Sequence, residues 1–169
     1  EADNRTVHIR TEVKNYADHR ETIQVVNKLS NANGGQTFRL VEEVTLEAGE
    51  TKIVEQQAVV EQAELWSPER PYLYSLASMI KRDGGKRTTD EITTPYGIRS
   101  FSWPCFRQDG DGRFYVNGVP TFINGVCEYE HQFGQSHAFS HEQVAARVKQ
   151  IRAAGFNAFR DVHQPHHLD

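Results

Sequence analysis

The chain has 169 residues, of which 25% are charged and 37% hydrophobic, and its formal net charge is −4. This size and composition predict a soluble globular protein with one large domain, or one domain and part of another. The basic residues are scattered and no apolar run approaches the ~20 residues of a membrane helix, which argues against a nucleic-acid-binding protein and against a membrane segment.

Residues 5–104 consist of short segments in which apolar and polar residues alternate, separated by turn signals. In TVHIRTEV, for example, Val7, Ile9 and Val13 share one side. Similar segments are ETIQVVNKLS, QTFRLVEEVTL, KIVEQQAVV, YLYSLASMIKR, KRTTDEITT and YGIRSFSW. Their spacing, without a helical pattern, predicts an antiparallel immunoglobulin-like β-sandwich domain over residues 1–104. We expect Trp66 or Trp103 near its core or its boundary with the next region.

The pattern changes in residues 105–169, which combine a hairpin with a helix. Asn117-Gly118 stands between apolar runs and predicts a tight β-hairpin. A helix is predicted over 141–154, because Ser140 and Gln143 can form a capping box and Gly155 can end it. Val144, Val148 and Ile151 form its apolar face, which we expect to turn toward the neighbouring strands.

A strand is predicted on each side of this helix, TFINGV before it and NAF after it. Strand, helix and strand form a βαβ unit, which requires a parallel sheet. Because one such unit cannot cover its own apolar surfaces, we expect the chain to be an excerpt of a longer protein. The predicted fold class is therefore mainly β: a sandwich followed by the truncated first βαβ unit of a (β/α)8 barrel.

Polar residues gather where the two predicted parallel strands end. They are Glu128, Tyr129, Glu130 and His131 after the first strand, and Arg160, Asp161 and His163 after the second. In a (β/α)8 barrel the C-terminal ends of the strands face the active site, so both groups would belong to one site. The alternative is a solvated loop end with incidental histidines, and composition alone does not choose between the two.

Glu128 and Glu130 are a second candidate site, as a carboxylate pair. On an extended strand they would lie on one face about 6.6 Å apart, since the rise is ~3.3 Å per residue. Retaining glycosidases place their two carboxylates ~5–5.5 Å apart. Neighbouring carboxylates of one strand are more often solvated or salt-bridged, and we favour that interpretation.

The histidines after residue 130 are a candidate metal site, because histidine is the commonest metal ligand. HQPHH would supply ligands together with His131 or His137, but Pro165 interrupts the run and its spacing matches no standard zinc pattern. We therefore predict no metal site. Cys105 and Cys127 could form one bridge, although two unrelated small core residues is the favoured interpretation.

Four segments are distinctive because of their order along the chain: LWSPERPYLYSL, YGIRSF, GRFYVNGVPTFINGV and AGFNAFRDVHQPHH. Together they resemble glycoside hydrolase family 2, the family of β-galactosidases, β-glucuronidases and β-mannosidases. The first two are similar to the family's immunoglobulin-like domain and its entry to the barrel. The last two are similar to its first barrel strand and to the Asn-Ala-x-Arg-x-x-His-x-Pro run of its second.

The resemblance implies a retaining β-glycosidase, similar to β-galactosidases, that acts on a β-linked oligosaccharide or glycoside. Arg160 would help to hold the catalytic nucleophile and His163 would contact the sugar. Tyr129 stands where the family has a sugar-contacting His, and Glu130 is retained. The family's two catalytic carboxylates lie on later barrel strands, so the resemblance implies no catalytic residue in this chain and an inactive fragment.

We expect no cofactor in these residues, while a divalent cation in the whole protein stays open. The truncated barrel piece is expected to self-associate through its unpaired strand edges and apolar helix face. The first residues contain neither an initiator Met nor a signal-peptide pattern, so we expect the natural N-terminus to lie upstream and assign no compartment. The alternative function is a free-standing immunoglobulin-like adhesion or carbohydrate-binding module.

Overall fold

The computed structural model describes residues 5–104, 110–128 and 140–162, with only the backbone at Asp161. The chain divides into two compact units. The first, which we call the sandwich unit, comprises Glu1–Phe101 and Val116–Gly118. The second, which we call the helix unit, comprises Ser102–Tyr115 and Val119–Asp169.

The sandwich unit contains six long strands, β1 (Thr6–Lys14), β2 (Glu21–Ser30), β3 (Gln36–Leu46), β4 (Thr51–Val59), β5 (Tyr74–Arg82) and β6 (Arg87–Tyr96). β1 pairs with β4, and the other four form a sheet in the order β3-β2-β5-β6. All of these pairs are antiparallel. Residues 5–104 contain no helix, so the predicted antiparallel sandwich is confirmed.

The core of the sandwich unit follows from the alternation of apolar residues. On β1, Val7, Ile9 and Val13 are buried, whereas the intervening His8 and Arg10 are exposed. The first core cluster consists of Val7, Ile9, Leu29, Val60, Tyr74 and Ile98. The second consists of Val13, Ile23, Val25, Leu46 and Val54. Because successive side chains of a strand point to opposite faces, the apolar residues of one face of β1 and β2 lie together in this core, whereas β6 has no buried residue.

A buried polar side chain also joins the two sheets of the sandwich unit. Asn27 of β2 is fully buried and donates through Nδ2 to Thr11 Oγ1 of β1 at 3.2 Å and Gln56 Oε1 of β4 at 2.9 Å. Its Oδ1 accepts from the Ser78 hydroxyl of β5. With both ends of the amide satisfied, burial of this polar group costs little and fixes the pairing of the sheets.

Of the two tryptophans, Trp66 meets the expectation for a residue near the core. It is half-buried, and its backbone N–H donates to the Ile98 carbonyl at 2.9 Å. The Arg99 guanidinium lies 5.0 Å from the centroid of its ring. Trp103 is 74% exposed, so it contributes little to a core. Its indole N–H donates to the Gly112 carbonyl at 3.3 Å.

The remaining elements are three short strands, β7 (Phe101–Ser102), β8 (Tyr115–Val116) and β9 (Val119–Pro120), followed by β10 (Gly125–Glu128), α1 (His141–Ala153) and β11 (Ala158–Asp161). β7, β8 and β9 form a sheet in that order. Asn117 and Gly118 have φ angles of 51° and 77°, the left-handed values that a two-residue hairpin turn requires. The predicted hairpin is therefore confirmed.

The first parallel strand begins later than TFINGV suggests, at Gly125. Thr121 still belongs to the hairpin, since its N–H donates to the Phe114 carbonyl at 2.7 Å. The second strand begins at Ala158 and extends past NAF to Asp161. Both differences arise because the backbone partners, which the pattern does not show, decide where pairing starts.

Both ends of α1 are capped as predicted. The Ser140 hydroxyl accepts from the Gln143 N–H, and the Ser140 N–H donates to Gln143 Oε1 at 2.7 Å. At the other end Gly155 has a φ of 89°, its N–H donates to the Arg152 carbonyl and Phe156 donates to the Ile151 carbonyl. This is a Schellman motif, which satisfies the last carbonyls of the helix.

The predicted apolar face of α1 is only partly covered. Val144 and Val148 are 43% and 57% exposed, and only Ile151 of the three predicted residues is half-buried. Two paired strands of four residues each offer too small a surface to cover the helix, and the direction of this face toward the strands stays a prediction. Within the described ranges, no helix combines the length and apolar character needed to cross a bilayer.

Candidate substrate site at the ends of two parallel strands

β10 and β11 pair in parallel, as the βαβ pattern predicts. Their register runs from Gly125 opposite Ala158 to Glu128 opposite Asp161. The two carboxyl ends therefore lie at one edge of this small sheet. Of the predicted polar residues, Glu128, Arg160 and Asp161 are the last residues of these strands, and the others follow them along the chain.

Two asparagines fix the other end of the strand pair. Asn124 and Asn157 each precede a strand by one residue, and the Asn157 N–H donates to the Asn124 carbonyl at 2.9 Å. The Asn124 N–H donates to Asn157 Oδ1 at 2.8 Å, and Asn157 Nδ2 donates to the Phe122 carbonyl at 2.7 Å. We call Asn124 and Asn157 the asparagine latch. Sequence reasoning missed it and counted both asparagines as strand residues; the signal is an Asn immediately before each observed strand.

Arg160 lies beside Cys127, its register partner on the neighbouring strand. Its Nη1 is 3.7 Å from the Cys127 Sγ, and both side chains are exposed. Cys127 is a free thiol and is exposed, and its exposure shows that its assignment as a small core residue is wrong. The reason is positional: no further strand or helix of the described residues covers this face of β10. Cys105 lies outside the described residues.

Glu128 is engaged by the helix. Its carboxylate accepts from Arg147 Nε at 3.1 Å and from Arg147 Nη2, a bidentate pair. The Glu128 carboxylate raises the pKa of the Arg147 guanidinium, first through this hydrogen bond and then through its charge. The salt-bridged interpretation of Glu128 is therefore confirmed. Sequence reasoning did not find Arg147, since nothing in the helix pattern distinguishes it from Arg152.

The two faces of the strand pair follow from these contacts. Successive residues of a strand point to opposite faces. Because Glu128 contacts α1, Cys127 points away from the helix, and Arg160 touches Cys127 on that same side. Of the predicted substrate residues, the structure therefore places Arg160, on the sheet face opposite α1. Tyr129, Glu130 and His163 lie outside the described residues, and their site roles stay predictions.

Other candidate sites receive no support from the described residues. They contain no group of three or more His, Cys, Asp or Glu side chains able to hold a metal ion, and the histidines of HQPHH lie outside the described ranges. The sandwich unit has a surface cavity of about 510 Å³ next to Tyr72 and Tyr74. The two tyrosine hydroxyls accept from the backbone N–H groups of Ala32 and Glu64, so they hold loop backbone in place.

The family comparisons match both regions of the chain in order. Residues 1–99 match the model described as "Glycosyl hydrolases family 2", and residues 109–169 match "Glycosyl hydrolases family 2, TIM barrel domain". The chain belongs to glycosyl hydrolase family 2. The family resemblance read from the four segments is thus confirmed, and the parallel pair belongs to the part of the chain that matches the family's barrel.

Among curated relatives, a beta-galactosidase of Bacteroides ovatus is 33% identical over 94% of this chain, and one of Psychromonas ingrahamii is 29% identical over 86%. Among solved structures, Bacteroides uniformis beta-glucuronidase 2 is 28% identical over 96% of the chain, with a TM-score of 0.85. The chain spans 18%, 13% and 19% of the length of these three proteins.

Proposed function

We propose that this chain is part of a retaining β-glycosidase that hydrolyses O-glycosyl bonds, with β-galactosides as the favoured substrates. The observation that carries the proposal is the match of both regions, in the same order, to one family of glycosyl hydrolases. The similarity to the beta-galactosidases of Bacteroides ovatus and Psychromonas ingrahamii favours a β-galactoside as the substrate. The likeness to a beta-glucuronidase makes a β-linked glucuronide the second candidate substrate.

Retaining hydrolysis uses one carboxylate as nucleophile and another as acid and then base, through an oxocarbenium-like transition state. In this proposal both carboxylates come from parts of the protein outside these residues, so the chain alone hydrolyses nothing. The barrel-domain match over residues 109–169 favours the enzyme over a free-standing binding module.

The chain itself would supply substrate-site residues. Arg160 would hold the nucleophilic carboxylate by a charge-assisted hydrogen bond, and His163, Tyr129 and Glu130 would contact the sugar. The position of Arg160 supports its role, because it lies on the sheet face opposite α1. In a (β/α)8 barrel the helices form the outer ring, so the opposite face is the barrel interior.

The test is an assay of the full-length protein that contains this chain, against a panel of aryl β-glycosides. We expect faster hydrolysis of the β-galactoside than of the β-glucuronide, the second candidate, and a β-configured first product by NMR. A first product with the inverted configuration would contradict the retaining mechanism. Turnover by the 169 residues alone would contradict the placement of both carboxylates elsewhere.

We also propose that the isolated chain self-associates through the helix unit. Val148 is 57% and Phe122 84% exposed, and such apolar surface commonly recruits a second copy. Light scattering of the purified chain should show a dimer or larger species at micromolar concentration. A monomer at every concentration tested would contradict this part of the proposal.

A further inference from the structure

The carboxyl end of β10 is held from both sides by guanidinium groups. Glu128, its last residue, accepts a bidentate pair from Arg147 of α1. Cys127, the residue before it, contacts Arg160 of β11 on the opposite face. The strand end thus lies between one arginine on the helix side and one on the substrate-site side.

Apolar packing contributes little to the position of this strand end. No residue of α1 is buried, and Val144 and Val148 are largely exposed. The Schellman motif and the asparagine latch act at the C-terminal end of α1 and at the start of the strands, away from Glu128, and the capping box joins Ser140 only to Gln143. A bidentate Arg–carboxylate pair, in contrast, fixes both the distance and the relative orientation of its two partners.

We propose that Arg147 is a positioning residue: through Glu128 it fixes the carboxyl end of β10, against which Arg160, the predicted substrate-site residue of β11, is placed. This inference rests on the proposed function. The pair is partly exposed, with the Glu128 side chain 26% and the Arg147 side chain 56% accessible, so it adds little to stability. We expect the pair to affect the rate of catalysis instead, because even a small displacement of the residues that bind the substrate or the nucleophile lowers that rate.

The kinetic test uses the full-length protein with Arg147→Met. We expect kcat/KM for the aryl β-glycoside to fall about fivefold while the melting temperature stays within about 2 °C. Lys149→Met is the matched control, since Lys149 is another exposed cation on α1, and its kinetics should stay within twofold. The charge swap, Glu128→Arg with Arg147→Glu, should recover at least half of the lost activity, and Arg147→Lys should give an intermediate value.

A second readout does not depend on activity. In the 169-residue chain Cys127 is exposed next to Glu128, so its alkylation rate by iodoacetamide, measured on this chain, reports the placement of the strand end. Arg147→Met should change that rate at least threefold, measured by mass spectrometry of the peptide that contains Cys127, and the swap should restore it. Unchanged alkylation and unchanged kinetics would overturn the inference, as would a loss of activity that follows the melting temperature. A wild-type protein inactive on every glycoside would instead refute the proposed function.

Discussion

The interactions inside the sandwich unit differ in kind from those inside the helix unit. Every buried apolar residue that the structure describes belongs to the sandwich unit except Val162, and α1 has no buried residue. The helix unit depends on directional contacts: two helix caps, the asparagine latch and the Glu128–Arg147 pair. Apolar burial provides most of the free energy of folding, whereas such polar contacts provide geometry. The sandwich unit is thus built for stability and the helix unit for placement of side chains.

The largest expected effect is loss of core packing in the sandwich unit. Leu29 is fully buried in the first core cluster, so Leu29→Ala should lower the free energy of unfolding by about 2–5 kcal/mol. Leu73→Ala is the matched control, since Leu73 is 45% exposed, and it should cost less than about 1 kcal/mol. Urea unfolding of the chain, followed by circular dichroism, measures both. Equal midpoints for the two variants would contradict the described core.

The next effect concerns substrate residues of the helix unit, in the full-length protein. Arg160→Ala and His163→Ala should each lower kcat/KM at least tenfold, because a hydrogen bond to a group charged in the transition state is stronger than a neutral one. Glu128→Ala should lower it less, since that carboxylate is occupied by Arg147. Steady-state kinetics on an aryl β-glycoside decide the point. Wild-type values for both Arg160→Ala and His163→Ala would refute the predicted site roles.

A smaller effect is expected from the cap of α1. Ser140→Ala removes the hydroxyl that accepts from the Gln143 N–H and should cost ~1 kcal/mol of stability. Ser140→Asp keeps an acceptor at this position and should restore most of the loss. Denaturant midpoints of the two variants test the role of the cap. An unchanged midpoint for Ser140→Ala would show that the helix does not depend on it.

The smallest expected effect is a pH dependence in the sandwich unit. The ring nitrogens of His19 lie against two carboxylate oxygens, Nδ1 at 2.8 Å from Asp18 Oδ1 and Nε2 at 3.0 Å from Glu21 Oε1, and Arg82 lies 3.4 Å from the same Glu21 oxygen. The hydrogen bond with Asp18, followed by that with Glu21, raises the pKa of His19 above its ordinary value of about 6.5. Protonated His19 therefore stabilises the folded state below that pH, and the contribution disappears as pH rises through the raised pKa.

The variant His19→Gln tests this dependence, since it keeps polarity and loses the titration. Wild type should lose a small amount of stability between pH 6 and pH 8 relative to the variant, because the groups are exposed and screened by solvent. Thermal unfolding at several pH values measures the difference. Parallel stability curves for the two proteins would contradict a raised pKa of His19 in the folded state.

Local chemistry made much of the fold predictable from the sequence. The strands of the sandwich unit follow from alternation over a few residues, as on β1 with Val7, Ile9 and Val13. The hairpin follows from Asn117-Gly118, because few other residues accept left-handed backbone angles at both positions. The caps of α1 follow from Ser140, Gln143 and Gly155, which act within one turn of the helix. Each signal is short-range, so the residues that carry it are also its physical cause.

Contacts between residues far apart in sequence were decided only by the tertiary structure. The pattern does not show that β1 pairs with β4, that Asn27 bonds to three other strands, or that Asn124 and Asn157 latch two strand starts. Glu128 could equally have been solvated, and Arg147 acquires its role only when the helix packs beside β10. Cysteine is a residue type that is commonly buried, yet Cys127 is exposed because too few neighbouring strands and helices cover its face of β10. The sequence by itself thus determined which elements form and where α1 begins and ends. The pairing of strands and the residues at which it starts, the burial of side chains and the position of Arg160 depended on which distant segments meet, because those contacts form only when the whole chain folds.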